Sequence, residues 1–198
     1  MRRLAVIVYY DFASSLSYVA HRAMERMADD LEALALDLTW TPIDLTRITG
    51  WRRGATVESH RRENALRVAQ EFDVPLTMPS RWMDSREVNA VALALGDTAA
   101  AATWRECVYS TLYERGASLD APGLLERLAR DVSLDLDALD IDASLAALEA
   151  TTERARDDEV TGVPTFMLGQ WPFGGIQEAF TMRSVLRRWS ERQRKSAD

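Results

Sequence analysis

The chain of 198 residues is poor in the side chains that build disulfides and metal sites: it has one cysteine and two histidines. A single thiol, Cys107, excludes an internal disulfide and argues strongly against dithiol–disulfide exchange, which needs a reactive thiolate and a second sulfur. Neither His21 nor His60 has another histidine or a cysteine at metal-ligand spacing, so we expect no metal site. The scarcity of cysteine fits a reducing compartment, and we expect a cytoplasmic protein.

The sequence also lacks a long hydrophobic run and an excess of positive charge. No apolar stretch approaches the ~20 residues that span a bilayer, and the apolar start of the chain runs into Asp11 without a signal-peptide cleavage site. The net charge of −7 argues against nucleic acid or an anionic membrane as a partner. Since 47% of the residues are hydrophobic, a packed core is expected.

The beginning of the chain has a strand–helix–strand pattern. Residues 4–9 (LAVIVY) form a continuous apolar run, typical of a strand covered on both faces. Apolar residues from Leu16 to Leu34 then follow a single helical stripe, and residues 36–40 (LDLTW) alternate before Pro42. This order predicts a right-handed βαβ unit with parallel strands.

The middle of the chain is helical, and strand patterns return near its end. Helices are expected to begin near Asp84, Asp97, Asp120 and Asp142. Residues 165–168 and 171–173 form a predicted hairpin, and residues 178–192 a closing amphipathic helix. The pattern predicts an α/β, thioredoxin-like fold with a large all-helical insertion. Its predicted parts are a first half over residues 1–54, the insertion over 55–159 and a second half over 160–198.

Residues 14–17 (SSLS) lie where the first strand passes into the first helix. The backbone N–H groups of a helix N-terminus lack intrahelical partners, and the aligned peptide dipoles favour an anion there. A serine hydroxyl stays neutral near pH 7 but donates a hydrogen bond to a bound thiolate. Serine is also a good helix cap, so Ser14 is either an anion-binding residue or a simple N-cap.

A second candidate element is residues 162–166 (GVPTF), in which a proline opens a strand. Thioredoxin-like folds keep a cis-proline at this place, and the preceding residue pairs with an extended thiol peptide as an added strand would. We therefore expect a cis Val163–Pro164 bond, although an ordinary strand-entry proline has the same sequence. Gly174 and Gly175 precede the closing helix, where they form either a carboxylate site or the exit of a hairpin.

Three segments together resemble the DsbA-like superfamily of the thioredoxin fold. They are residues 10–18 (YDFASSLSY), 160–166 (VTGVPTF) and 175–177 (GIQ). This superfamily includes DsbA and FrnE-type dithiol oxidoreductases, 2-hydroxychromene-2-carboxylate isomerases and kappa-class glutathione transferases. The helical insertion also matches, so the resemblance spans the whole chain.

The resemblance implies catalytic roles for Ser14 and Ser17. Ser14 matches the first active-site position, which is serine in the isomerase and kappa groups and cysteine in the oxidoreductases, and Ser17 matches the second cysteine position. The resemblance implies that Ser14 steadies the thiolate of glutathione as cofactor. The residues implied to hold the tripeptide are Val163, Pro164, Ile176 and Gln177.

The chain departs from the isomerase and kappa groups at several positions. Those groups have proline after the active-site serine, where this chain has Ser15, and a lysine and an asparagine after the second strand help them bind glutathione. Residues 50–54 (GWRRG) contain no lysine, which leaves Arg52 and Arg53 as candidates for that charge. Residues 40–45 (WTPIDL) and 175–177 (GIQ) are closer to the FrnE-like branch.

Two functions remain open on these residues. The first is a glutathione-dependent isomerase or transferase whose helical insertion forms the pocket for a small apolar or aromatic substrate. The alternative is a redox-inactive relative of the DsbA and FrnE oxidoreductases that binds a thiol or a peptide without chemistry. Kappa-class relatives are often dimers, which adds a homodimer to the expected assemblies.

Overall fold

The computed structural model describes residues 2–196, so the outermost residues of the predicted segments 1–54 and 160–198 lie outside the description. Within this range one mixed sheet has the strand order β2-β1-β3-β4. The strands are β1 (Leu4–Tyr10), β2 (Leu36–Pro42), β3 (Thr165–Leu168) and β4 (Trp171–Gly174). Each one lies where the apolar pattern predicts it, with its end shifted by at most two residues.

Strand direction decides which loops meet. β1 and β2 run parallel, as predicted, with Leu4 opposite Leu36. β3 is antiparallel to β1, with Tyr9 opposite Thr165, and β4 is antiparallel to β3, with Thr165 opposite Gly174. The carboxyl ends of β1, β2 and β4 and the start of β3 therefore lie at the same edge of the sheet.

The single helix predicted from Leu16 to Leu34 is wrong, because the chain forms two helices there. The first helix, α1 (Ser15–Arg26), ends at Met27, whose φ of −95° and ψ of 12° depart from helical values. The second, α2 (Ala28–Ala33), starts directly afterwards. The apolar stripe continues across the break because the residues on both sides pack on the same core, so periodicity alone does not reveal it.

The remaining helices follow β2 in the chain. They are α3 (Thr46–Thr49), α4 (Ser59–Glu71), α5 (Arg86–Leu95), α6 (Ala99–Tyr109), the π-helical turn Ser110–Glu114, α7 (Leu124–Asp131), α8 (Ile141–Asp157) and α9 (Ala179–Lys195). The last confirms the predicted closing helix. In the part of the chain that the structure describes, no helix is both long and apolar enough to cross a membrane.

The predicted starts of the inserted helices are shifted by one to three residues. Capping depends on which short polar side chain faces the free N–H groups, and neighbouring Asp, Ser and Thr residues compete for that position. For example, Thr98 rather than Asp97 caps α6, by accepting from the Ala101 N–H. The observed N-cap residues of α5, α6, α7 and α8 are Ser85, Thr98, Gly123 and Asp140.

Both faces of the sheet are covered, which explains the unbroken apolar run of β1. One face packs on α1 and the insertion through an aromatic cluster in which Phe12 and Tyr109 have ring centroids 4.9 Å apart. The opposite face packs Tyr9 and Met167 against Ala155. Burial of aromatic rings at this density contributes about 2–3 kcal/mol per side chain and holds the insertion against the sheet.

Candidate active site

Ser14 is the N-cap residue of α1. Its backbone is extended, with φ −94° and ψ 110°, and its Oγ accepts a hydrogen bond from the Ser17 N–H at 3.2 Å. The side chain is nearly enclosed, since Ser14 is 4% exposed. The capping interpretation of Ser14 is therefore correct, and the hydroxyl proton is still available for a second partner.

That second partner is the loop before β3. Ser14 Oγ donates to the Val163 carbonyl oxygen at 3.4 Å, and the Val163–Pro164 peptide bond is cis, as expected. Thr165 Oγ1 donates to the Gly162 carbonyl at 2.7 Å, and the Gly175 N–H donates to the Pro164 carbonyl at 2.7 Å. The sequence-distant segments around Ser14, Val163 and Gly175 are thus joined by direct hydrogen bonds.

A cleft of about 340 Å³ opens beside Ser14 and Val163. One wall is aromatic, because Trp51 and Trp82 stack with centroids 3.3 Å apart. The Arg61 guanidinium lies 5.4 Å from the Trp51 ring centroid and 3.4 Å from Glu58 Oε2, so the positive charge it brings to the cleft is shared with that carboxylate. The lining residues are Ser14, Ser15, Leu16, Leu45, Thr49, Trp51, Arg61, Asn64, Ala65, Met78, Trp82, Thr161, Gly162 and Val163.

A second groove of about 450 Å³ adjoins the cleft. Ile176 and Gln177 line it, and it shares Leu16 and Asn64 with the cleft. Arg67 also lines this groove and pairs with the Glu71 carboxylate. Because the two concavities share a wall, one extended ligand could contact Ser14 at one end and Gln177 at the other.

The structure places Ser17 apart from the cleft. It is fully buried in α1, and its Oγ has no hydrogen-bond partner within residues 2–196. The hydroxyl lies one turn below Ser14 and is not among the cleft-lining atoms. Direct contact of Ser17 with a ligand therefore stays a prediction for which the geometry supplies no path.

Arg52 and Arg53 are not among the residues that line the cleft. Arg52 is exposed, whereas Arg53 donates to Asp44 Oδ2 at 2.6 Å and forms an ion pair with Asp84 Oδ1 at 3.0 Å. Although burial raises the pKa of Asp84, hydrogen bonds from Arg86 and the charge of Arg53 hold it below its usual value. Arg53 thus fastens the insertion to the loop after β2, and its proposed ligand role stays a prediction.

Sequence reasoning missed Arg61 and the two tryptophans. The available signal was helical spacing, since Arg61, Asn64 and Ala65 lie at i, i+3 and i+4 of α4 and line the same cleft. Nothing in the sequence shows which face of α4 is turned toward Ser14. That orientation depends on how the insertion packs on the sheet.

His21 also has neighbours that sequence spacing does not reveal. Its Nε2 lies 3.2 Å from Glu106 Oε2 and 3.5 Å from Glu25 Oε1, so three potential metal-ligand atoms lie together. Arg22 bonds to both carboxylates, at 2.9 Å and 2.7 Å. The guanidinium pairs with both carboxylates, and the cluster forms an ion-pair network between α1 and α6.

Comparison with known proteins agrees with this architecture. A 2-hydroxychromene-2-carboxylate isomerase of Pseudomonas putida is 27% identical over 194 residues, covering 93% of this chain and 95% of the relative. A solved 2-hydroxychromene-2-carboxylate isomerase structure superposes with a TM-score of 0.76 at 25% identity, covering 98% of this chain and all of the other. The cytosolic disulfide reductase DsbM of Pseudomonas aeruginosa, solved with GSH, superposes with a TM-score of 0.64 at 20% identity, over 97% of this chain and 100% of that one.

The family assignment rests on a match along nearly the whole chain. The profile of the DSBA-like thioredoxin domain matches residues 5–187. This range includes the sheet except Leu4, the helical insertion and about half of α9, and it confirms the predicted α/β, thioredoxin-like fold. The protein belongs to the DSBA-like thioredoxin domain family.

Proposed function

We propose that this protein is a glutathione-dependent isomerase or transferase acting on a small apolar or aromatic substrate. The observation that carries the proposal is the position of Ser14 Oγ, between the N-terminus of α1 and the Val163 carbonyl. Ser14 and Ser17 stand here where the redox members of the superfamily have cysteines. The chain therefore needs a thiol from its ligand, and glutathione supplies one.

The N-terminus of α1 is suited to hold that thiol in its ionised form. The helix has 12 residues, and its free N–H groups and dipole favour negative charge at Ser14. The Ser14 hydroxyl bonds to Val163 at 3.4 Å, which is long for an O–H···O bond and therefore weak. A thiolate in the cleft would take over this proton as a stronger, charge-assisted acceptor.

The rest of the tripeptide has a path along the chain. Val163 offers its backbone next to the cleft, where an extended peptide would pair with it as an added strand. The groove beyond Leu16 carries the amide of Gln177, a donor for a carboxylate group, and the guanidinium of Arg67, which a ligand carboxylate would share with Glu71. Pro164 and Ile176 support this path, while Arg52 and Arg53 remain predicted contacts.

The second substrate would occupy the aromatic side of the cleft. Trp51, Trp82 and Met78 form an apolar wall, and Arg61 lies over the face of Trp51. A planar ring would stack on the indoles, and a carboxylate on that ring would pair with Arg61. This chemistry agrees with the relatives, whose names describe isomerases of an aromatic carboxylate.

The test is to remove the Ser14 hydroxyl and measure glutathione binding and turnover separately. Ser14→Ala should lower kcat by about 10²-fold, because the donor acts on charge in the reacting state. Ser190→Ala is the matched control: its hydroxyl is also buried but bonds to the Arg187 carbonyl within α9. Unchanged turnover in Ser14→Ala, or equal losses in both variants, contradicts the proposal.

A second candidate is a binding module without chemistry. The enclosed hydroxyl of Ser17 favours it, because Ser14 alone of the two predicted catalytic serines then lines the cleft, and no cysteine is among the lining residues. Titration calorimetry with glutathione, oxidised glutathione and an extended thiol peptide distinguishes the two functions. Binding of these ligands without glutathione-dependent turnover of aromatic acids supports the module, and a cytoplasmic homodimer remains a prediction for either function.

A further inference from the structure

A buried carboxylate lies directly behind the candidate site. Asp11 is 1% exposed, and its Oδ1 accepts from the Ala13 N–H at 2.8 Å and from Ser85 Oγ at 2.5 Å. Its Oδ2 accepts from the Leu45 N–H at 2.8 Å. Burial raises the pKa of Asp11, and these hydrogen bonds oppose that shift. One side chain thus joins the loop before α1, the loop after β2 and the insertion.

Two side chains, one at the N-cap of α5 and one inside the helix, form hydrogen bonds with this carboxylate and its neighbours instead of stabilising the helix itself. Ser85 occupies the N-cap position of α5 but makes no capping bond: its backbone is not extended (φ −100°, ψ 3°), its hydroxyl donates to Asp11, and its Oγ accepts from Asn89 Nδ2 at 3.4 Å. Asn89 is fully buried inside the same helix, where asparagine is unfavourable. Its Oδ1 accepts from the Phe12 N–H at 3.4 Å, and its Nδ2 donates to the Ile43 carbonyl at 3.2 Å.

A third contact comes from the π-helical turn. Tyr113 is fully buried, and its hydroxyl donates to the Phe12 carbonyl at 2.8 Å. π-helical turns are rare and often occur at functional sites. The insertion therefore bonds to both backbone groups of Phe12, two residues before Ser14.

We propose that Asp11, Ser85 and Asn89 form a clamp by which the helical insertion positions Ser14. The Ser14 N–H donates to the Asp11 carbonyl at 2.9 Å, so the turn that aims the Ser14 hydroxyl at Val163 starts from the clamped residue. Leu45, which the same carboxylate holds, lines the cleft. The insertion then does more than shield the site from solvent, because its placement sets the position of the Ser14 hydroxyl.

Local departures from helix preference support positioning over simple stabilisation. A capping bond by Ser85 and an apolar residue at position 89 would satisfy α5 alone, since Asn89 lies among buried residues of this helix. Instead, Ser85 donates to Asp11 and Asn89 donates to the Ile43 carbonyl, so both side chains bond to loops outside the helix. Such violations of local rules are expected where geometry matters for function.

The experiment compares Ser85→Ala with Thr152→Val. Thr152 is an equally buried hydroxyl that also joins the insertion to the other part of the protein, by accepting from the Asp44 N–H at 2.9 Å. Amide hydrogen exchange followed by NMR should be about tenfold faster at Ala13, Ser14 and Ser17 in Ser85→Ala, because a buried hydrogen bond is lost. The same amides should keep their wild-type exchange rates in Thr152→Val. Ser85→Thr, which retains a hydroxyl at this position, should also exchange at the wild-type rates.

The exchange result decides the clamp without reference to glutathione. Unchanged rates at Ser14 and Ser17 in Ser85→Ala overturn it, as does equal acceleration in Thr152→Val. Asp11→Asn gives a second measurement. Its side-chain NH2 group would face a backbone N–H donor on one side, so hydrogen exchange at the same amides should be faster.

The catalytic consequence of the clamp rests on the proposed function. Ser85→Ala should then lower kcat about tenfold and leave KM within about twofold, since the ligand contacts remain while the hydroxyl is misplaced. An unchanged kcat in a variant with accelerated exchange overturns the clamp as a positioning device. Failure of the wild-type protein to bind glutathione contradicts the proposed function alone, and the exchange rates still decide the clamp.

Discussion

Ser14 Oγ donates a hydrogen bond to the Val163 carbonyl oxygen at 3.4 Å across 149 positions of sequence. The bond joins the N-terminus of α1 to the loop that begins β3. It exists because β3 runs antiparallel to β1, with Thr165 opposite Tyr9, which brings the residue before Pro164 beside the end of β1. The proposed thiol site is therefore a product of strand pairing.

A cysteine placed at Ser14 should be unusually acidic. The N-terminus of α1 favours a thiolate, so Ser14→Cys should have a thiol pKa below the usual value of about 8.5. Cys107 serves as an internal reference, since burial and the charge of Asp131 raise the pKa of its thiol. Alkylation rates measured against pH should show a fast new thiol and a slow native one.

The control is Ser17→Cys, which lies at a fully buried position and should react slowly. A Ser14→Cys thiol whose pKa is at or above the ordinary value would contradict the role of the helix N-terminus.

Removal of the positive charge at Arg61 should weaken the binding of an acidic substrate. Arg61→Met should raise KM for an aromatic acid about tenfold, because a charge-assisted hydrogen bond is lost. A neutral ester of the same acid should be unaffected. Arg52→Met is the matched control, since Arg52 is exposed and does not line the cleft. If Arg52→Met shows the loss and Arg61→Met does not, the sequence-based choice of Arg52 is the better one.

The ion pairs around Glu106 should make the stability of the fold depend on pH in acid. The hydrogen bond with His21 lowers the pKa of Glu106. Burial opposes this shift, but the contacts with Arg22 lower the pKa further, so that it falls from 4.5 to about 2. A carboxyl whose pKa is lower in the folded state stabilises the fold above its unfolded pKa. That contribution is lost as the pH falls from 4.5 to about 2.

Glu106→Gln should therefore destabilise the protein at pH 7 and have little effect near pH 2. Because the Glu106 side chain is 43% exposed, solvent screening reduces the expected cost to about 1 kcal/mol. Urea unfolding across this pH range measures the difference, with Glu63→Gln at an exposed position as the control. A cost for Glu106→Gln that is constant with pH would rule out this linkage.

Gly175 should resist substitution, whereas Gly162 should tolerate it. Gly175 has a φ of +83°, which side chains rarely adopt, and its N–H bonds to the Pro164 carbonyl. Gly175→Ala should cost about 1 kcal/mol in unfolding free energy. At Gly162 φ is outside that region, and an added Cβ meets nothing within 4 Å, so Gly162→Ala should be nearly neutral. Urea midpoints for both variants check this; equal costs would show that backbone conformation is not the cause.

Much of the secondary structure follows from local pattern. The apolar run of β1, the alternation in β2 and the hairpin of β3 and β4 all lie close to their predicted ranges. Helix starts were less predictable, because Asp84 and Ser85 are both good caps in isolation. Ser85 occupies the N-cap position but gives its hydroxyl to Asp11, a partner 74 positions away. The preference of a residue for the N-cap position depends on its sequence neighbours and carries no information about such a distant acceptor.

The candidate site was predicted in part. Ser14 and Val163 were identified because each belongs to a short segment with a recognisable role, at a helix start and before a strand proline. Arg53 is a candidate from the sequence by its charge alone, whereas the structure pairs it with Asp44 and Asp84. Arg61 supplies charge at the cleft instead, on a helix whose orientation depends on packing.

The sequence by itself determined the α/β order of elements, the serine at the helix N-terminus and the scarcity of cysteine, because these depend on short-range periodicity and residue type. Only the tertiary structure decided which charges face the cleft, that Trp51 and Trp82 form its wall and that Asp11 ties Ser14 to the insertion. Those relations arise from strand register and from hydrogen bonds between distant segments. Their free energy is gained only once the whole fold is assembled.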